Sequence, residues 1–201
     1  MLKYAMLAGV FAVAAYPVRG SAQPVVQPTR DVSVQYHVTG DSMAGPGQGH
    51  VDSIKISYGS GGQRMRIEPV GQPAFMIVDR SAGHMTVVMS GQNMYMDLPY
   101  DPHKVMDFSP ANAKFTQRGT ATVAGLTCTE YDVQSQQHNG TVCLTSDGVM
   151  LRAVSKDPQH QGSLEATNVA YGPQPDSVFQ PPPGFQKMDM AHMGQRGRPP
   201  R

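Results

Sequence analysis

By type and spacing, the residues of this 201-residue chain best suited to chemistry are its 14 methionines. A thioether sulfur is a soft ligand that favours Cu(I). Near the C-terminus, close enough together to share one soft ion, lie Met188, Met190, His192 and Met193. This cluster predicts a copper site, and a copper-handling protein is therefore one candidate function.

Other methionines fall on apolar stripes of strand-like segments, where two further roles are open. Methionine is flexible, fills irregular gaps in a core and adapts to apolar partners of different shapes. The stripes therefore predict either a packed core or the lining of a site for an apolar ligand. The predicted lining residues are Met65, Ile67, Met76, Val78, Met85, Val87, Met89, Met94 and Met96. The alternation alone leaves open which face of each strand points inward.

No arrangement typical of a catalytic site occurs in the sequence. It has no Gly-x-Ser-x-Gly, His-Glu-x-x-His, phosphate-binding loop or dinucleotide fingerprint. Acidic pairs such as Asp97 with Asp101, or Glu130 with Asp132, are of a kind that any chain of this length contains. The prediction is a protein that is not an enzyme, with no catalytic residues and no cofactor apart from the copper alternative.

The first 22 residues have the pattern of a secretory signal peptide. Lys3 precedes an uncharged apolar run over residues 4–16, and Gly20 and Ala22 are small residues at the −3 and −1 positions of a cleavage site. The run is shorter than the ~20 residues that span a bilayer. We expect cleavage after Ala22, a periplasmic or secreted protein, and no transmembrane segment in the mature chain.

Export affects the interpretation of the two cysteines, Cys128 and Cys143. An even number of cysteines in an exported protein favours disulfides. The two residues lie on consecutive predicted strands, and we expect them to pair across the hairpin, with the turn inside residues 134–140. Their spacing is far wider than the Cys-x-x-Cys of a redox dithiol. A structural disulfide is therefore predicted.

Most of the chain alternates apolar and polar residues with a period of two, which is typical of half-buried strands. Eleven such segments follow one another, separated by turn signals such as Asn139-Gly140. The first segment places on one face Val32, Val34, Tyr36 and Val38. The formal net charge of +1 gives no basic footprint for nucleic acid. The predicted fold is mainly β, an antiparallel sheet with at most short helices.

Two segments, residues 75–78 and 85–89, depart from alternation because they are nearly continuous in apolar residues. Such runs are typical of strands covered on both faces. We therefore expect a loop, a short helix or a ligand to cover their second face. Around them the predicted organisation is an extended leader over 23–30, one β domain over 31–190, and a disordered basic tail over 191–201.

Several strings of residues resemble a known family. They lie in segments 64–68, 76–80, 84–89, 94–98, 123–133, 142–152 and 179–188, including Ala-Gly-x-x-Cys-x-x-Tyr from Ala124 and Pro-Pro-Gly-Phe up to Phe185. Across residues 30–190 the chain resembles a bacterial exported family of unknown function, number 4412. That family is similar to the LolA/LolB lipoprotein carriers and their mycobacterial lipid-binding relatives.

The resemblance implies a curved antiparallel half-barrel, LolA-like, whose concave face binds lipid or another apolar group. The carriers begin with a long helix and plug the concavity with helices, whereas this chain passes from a proline-containing leader directly into a strand. Lipoprotein trafficking and catalytic residues are therefore not carried over.

The sequence thus predicts an exported, non-enzymatic binding protein that holds a lipid or other apolar ligand on the concave face of a curved sheet. The first alternative is a periplasmic copper-handling protein that uses its Met and His residues. The second is an envelope scaffold or interaction protein without a small ligand. The predicted partners are a lipid or apolar ligand, or an envelope protein, and not nucleic acid.

Overall fold

The computed structural model of the protein describes residues 23–40, 51–101, 113–135, 139–158 and 161–188. Two short 3₁₀ helices in this part of the chain are Ser90–Gln92 and Asp176–Phe179. The strands are β1 (Val32–Gly40), β2 (Ser53–Gly59), β3 (Arg64–Pro69), β4 (Ala74–Asp79), β5 (His84–Met89), β6 (Met94–Pro99), β7 (Ala113–Val123), β8 (Leu126–Ser135), β9 (Asn139–Leu144), β10 (Met150–Ser155), β11 (Gly162–Tyr171) and β12 (Gln186–Lys187).

All of these strands belong to one sheet built from two antiparallel meanders. Strands β1 to β6 lie side by side in chain order, as do β7 to β11, and the meanders join where β1 pairs with β11. At one edge β12 pairs in parallel with β6, and β7 forms the opposite edge. The sheet is therefore open, and the predicted mainly β, antiparallel fold is confirmed.

Strand β1 shows why the sequence folds in this way. The side chains predicted to share a face are at most 2% exposed, while most residues between them reach solvent. Burying one valine fully contributes about 1.5–3 kcal/mol. Val34 lies directly opposite Ile56 of β2 and Val169 of β11, so the apolar row continues across the sheet. We call the face that carries Val34 and Ile56 the inner face.

The inner face is concave. A cleft is lined by Tyr58 and Met65 from β2 and β3 together with Phe115 and Leu144 from β7 and β9. In the order of the sheet, four other strands separate β3 from β9. Their side chains can line one cleft only because the sheet curves around this face. The curved half-barrel that the family resemblance implied is therefore confirmed.

The outer face of β3 to β6 is covered by residues 173–188, which we call the C-terminal strap. A cluster on this face consists of Phe75, Ile77 and Val88 from the sheet with Phe179 from the strap. The Arg66 guanidinium lies 3.7 Å from the centroid of the Phe75 ring. The outer face of segments 75–78 and 85–89 is thus covered by a loop with a short 3₁₀ helix, one of the covers expected from the sequence.

The cysteines form the predicted disulfide, with their Cα atoms 5.4 Å apart. The register of the hairpin nevertheless differs from the expected one. Glu130, rather than Cys128, lies directly opposite Cys143, so the disulfide joins diagonal neighbours.

The tight turn predicted at Asn139-Gly140 is wrong, because both residues belong to β9 and pair with Gln134 and Val133. Gly140 has a different role. A Cβ atom added there would collide with the carbonyl oxygen of Val154 on β10. The glycine permits β9 and β10 to approach closely. From the sequence alone, a glycine needed for close approach cannot be distinguished from a glycine needed for a turn.

No helix in the described ranges is long and apolar enough to cross a membrane. The predicted signal peptide and the tail over 191–201 lie outside the described residues. Residues 23–30, the predicted leader, lie outside the strands of the sheet.

Candidate functional site

All nine side chains predicted to line a ligand site lie on the inner face. Directly opposed residues of neighbouring strands project to the same face, and the register links the nine to Tyr58 and Ile56. The links are Met65 with Tyr58 and Val78, Ile67 with Ile56 and Met76, Met85 with Val78, Val87 with Met76 and Met96, and Met89 with Met94. The strand parity that the sequence left open is settled by this register.

Burial divides the nine residues into two groups. Met65, Val78 and Met85 are at most 9% exposed and form part of the main core. The other six are half-buried. They are Ile67, Met76, Val87, Met89, Met94 and Met96, and we call them the methionine strip.

The methionine strip is continuous across four strands. Ile67, Met76, Val87 and Met96 form one row of direct partners from β3 to β6. Neighbouring strands are ~4.8 Å apart, so the row is roughly 14 Å long. It extends the fully buried row of Val34 and Ile56. An apolar group could therefore cover the strip without displacing the core.

The cleft between the two meanders is small. Its volume is about 40 Å³, whereas sites for drug-sized ligands occupy ~300–1,000 Å³. Val26, Gln27 and Pro28 of the leader form part of its wall. The cleft can hold a few water molecules or a small group, but not an acyl chain.

Asp147, in the turn between β9 and β10, fixes the leader beside this cleft. The Arg30 guanidinium donates to the Asp147 carboxylate at 2.7 Å, and the Thr29 backbone N–H donates to the Asp147 carbonyl oxygen at 2.9 Å. The Thr145 hydroxyl donates to the same carboxylate at 2.5 Å. One ionised carboxyl group thus contributes to the position of the leader, together with the main-chain bond of Thr29 and the packing of Val26.

This dependence predicts a response to pH. Burial by itself raises the pKa of Asp147, but hydrogen bonds from Thr145 and Arg30 outweigh it, and the pKa lies below its usual value. A lowered folded-state pKa gives a stabilisation that is complete above the unfolded value of ~3.9 and is lost as pH falls through the folded one. We expect the protection factor of the Thr29 amide against hydrogen exchange to be constant above about pH 5 and to fall at lower pH, as Asp147 becomes protonated.

Asp147→Asn should lower the protection of Thr29 at neutral pH and remove its dependence on pH. Asp132→Asn is the control, because the hydrogen bond from Lys156 also lowers the pKa of Asp132, on the surface strand β8. Protection of Thr29 that stays constant down to about pH 2 in the unmodified protein would contradict the prediction.

Two polar side chains of the sheet also face the cleft, Tyr58 and Arg80. Burial raises the pKa of Tyr58 to about 12, so its hydroxyl is neutral at physiological pH. Arg80 donates through Nη1 to the Gly62 carbonyl at 2.6 Å and through Nε to the Tyr100 hydroxyl at 3.4 Å. The sequence did not single out Arg80. Its position, two residues after Val78 and four after Met76, matches the period with which the side chains of β4 face inward.

The predicted copper ligands are only partly described. Met188 is half-exposed, and its backbone N–H donates to the Tyr95 carbonyl at 2.7 Å. Met190, His192 and Met193 lie outside the described residues, so the copper site stays a prediction. In the part of the chain that the structure describes, no group of three or more His, Cys, Asp or Glu residues could hold a metal ion.

Acidic residues considered in the sequence form ion pairs on the surface. Each of three carboxylates has a basic partner within 4 Å, so these acidic residues have a structural role in ion pairs at the surface. The pairs are Asp97 with Lys187, Asp132 with Lys156 and Glu130 with Arg152.

Solved structures share this fold at low sequence identity. An uncharacterized conserved protein from Thermus thermophilus has a TM-score of 0.54 and 11% identity, over 80% of this chain and 90% of that one. MucB gives 0.50 and 13%, over 77% of this chain and 58% of MucB. MucB in complex with MucA(peri) gives 0.51 and 13%, over 80% and 57%. This chain thus spans a little over half the length of MucB, and the similarity is one of fold.

Among curated proteins, none matches the chain significantly. The model of one family, described as a domain of unknown function (DUF4412), matches residues 48–151. This range is more than half of the chain and includes both cysteines and the whole methionine strip. The chain therefore belongs to the DUF4412 family, as the residues of its central strands and cysteine hairpin indicated.

Proposed function

We propose that this protein is an exported binding protein of the bacterial envelope that holds an apolar group on its methionine strip. The observation that carries the proposal is the continuous, partly exposed apolar row across β3 to β6. A contiguous patch of exposed apolar surface is typical of interaction sites. Four of the six side chains are methionines, which adapt to apolar partners of different shapes.

Two observations support export. The N-terminal sequence has the pattern of a cleaved signal peptide, with Gln23 as the first mature residue. The disulfide between Cys128 and Cys143 is of a kind that persists in oxidising compartments such as the periplasm.

The primary candidate for the ligand is a lipid or another molecule with an apolar chain. The second candidate function is an envelope interaction protein without a small ligand. Two observations favour this second function: the cleft of about 40 Å³ is too small for a chain, and MucB, which shares the fold, has been solved in complex with MucA(peri). Both candidates place their apolar partner on the same strip.

The strip is tested with N-phenyl-naphthylamine, a neutral apolar probe whose fluorescence increases in apolar surroundings. Protein purified from the periplasm should bind the probe, and the double variant Met76→Gln with Met96→Gln should bind it at least about tenfold more weakly. Tenfold corresponds to ~1.4 kcal/mol, a modest part of the burial free energy of two methionine side chains.

The matched control is Val70→Gln, in the β3–β4 turn, where the side chain is 52% exposed and lies off the strip. This variant should bind the probe as the unmodified protein does. Equal affinity of the double variant and the control would rule out the strip, and failure of the unmodified protein to bind any apolar probe would rule out the first candidate function.

A further inference from the structure

Arg80 differs from the other arginines that the structure describes. Arg80 has hydrogen bonds only to neutral oxygens, those of Gly62 and Tyr100, and forms no ion pair within the described ranges. The remaining five each pair with a carboxylate. These pairs are Arg30 with Asp147, Arg64 with Asp176, Arg66 with Glu68, Arg118 with Asp132, and Arg152 with Glu165.

The charge of Arg80, which has no acidic partner among the described residues, lies at a concave site. Its side chain is half-buried and lines the cleft together with Tyr58 and Met65. A guanidinium has five N–H donors in a planar fork, and two of those in Arg80 are engaged by protein oxygens. The remaining donors have the geometry that binds a carboxylate or phosphate with two parallel hydrogen bonds.

The cleft wall also includes apolar side chains of the second meander, among them Phe115, Val142 and Leu144. A cation beside an apolar wall is complementary to a molecule with a charged group joined to an apolar chain. Charge-assisted hydrogen bonds are also stronger at such a site than in bulk water, because the local dielectric constant is lower.

We propose that Arg80 binds the ionised head of the ligand, and that the ligand is an amphiphile with a carboxylate or phosphate group at the end of an apolar chain. This inference rests on the proposed binding function. The cleft accepts a group the size of a few water molecules, and the chain lies along the apolar inner face. Met76 and Val78 face inward on β4, and Arg80, in the turn that follows this strand, lines the cleft, so the head would lie at the end of β4 and the chain would extend toward Met76.

The test uses laurate, lauryl alcohol and acetate as competitors of N-phenyl-naphthylamine at neutral pH. Laurate and lauryl alcohol have the same chain and differ in the head group, and acetate is the head group alone. Laurate should bind the unmodified protein at least about tenfold more tightly than lauryl alcohol, and acetate should not compete. Arg80→Gln should abolish the preference for laurate without changing the affinity for lauryl alcohol, and Arg80→Lys should retain part of it.

Arg118→Gln is the matched control, because it removes a positive charge from the exposed edge strand β7 and should keep the full preference for laurate. Equal affinity of the unmodified protein for laurate and lauryl alcohol would overturn the anion site and leave the proposed function standing. That comparison needs no variant to fold. Competition by acetate as strong as that by laurate would overturn the amphiphile. If neither long-chain molecule binds, the first candidate function, binding of a lipid or other apolar molecule, is itself overturned.

Discussion

The double variant Cys128→Ala with Cys143→Ala is expected to lose about 3 kcal/mol of its free energy of unfolding. The bond joins residues 15 apart in sequence, and closing a loop of this length removes conformational entropy from the unfolded chain. Both cysteines are at most 2% exposed, so no water replaces the lost contacts. Since single domains have about 5–15 kcal/mol of total stability, equilibrium urea unfolding should show a large decrease in the midpoint.

A reductant provides the control for this prediction. It should lower the stability of the unmodified protein to about that of the double variant and leave the double variant unchanged. If the unmodified protein unfolds at the same urea concentration with and without reductant, the disulfide does not contribute to stability in this way.

The strand composition of the fold could be predicted from sequence because alternation is a local property. In β1, Val32 and Tyr36 face the core while His37 and Thr39 are exposed, and each side chain shows its preference without reference to distant strands. The continuous apolar run 75–78 also correctly predicted cover on the face away from the main core, since Phe179 packs on Phe75 and Ile77 there.

The register and the covering segments could not be predicted, because they depend on contacts between residues far apart in sequence. Gly140 has the appearance of a turn residue but fits against Val154 of β10. Phe179 lies about a hundred residues beyond the strands that it covers, and Asp147 fixes a leader that precedes it by more than a hundred residues. No local pattern encodes such pairings.

The candidate site shows the same division. Period-two alternation correctly grouped the nine inner-face residues, since strands β3 to β6 pair without a register shift. Alternation could not separate buried Met65 and Met85 from half-exposed Met76 and Met96, because burial depends on the opposite meander. Arg80 was missed for a related reason: its distinguishing property is the lack of an acidic partner in the part of the chain that the structure describes, which only the three-dimensional arrangement reveals.

Phe179→Ala should have an effect at least as large as loss of the disulfide, lowering the free energy of unfolding by about 3–5 kcal/mol. The ring is 8% exposed and packs on Phe75, Ile77 and Val88. It also lies directly over Gly59, where an added Cβ atom would be 2.5 Å from the ring. Truncation to alanine would therefore remove the main apolar contact that holds the C-terminal strap to the sheet.

Chemical denaturation measures the loss, and Phe185→Ala is the matched control. Phe185 belongs to the same strap but is only half-buried, so its truncation should cost clearly less. Gly59→Val should reproduce the effect of Phe179→Ala from the opposite side of the contact, because the ring must move to admit the new side chain. Losses from Phe179→Ala and Phe185→Ala that are equal and small would show that the strap is not held by this ring. If the large loss is observed, the outer face of β3 to β6 is part of the folded core, and the methionine strip is left as the apolar surface of these strands on which a ligand can bind.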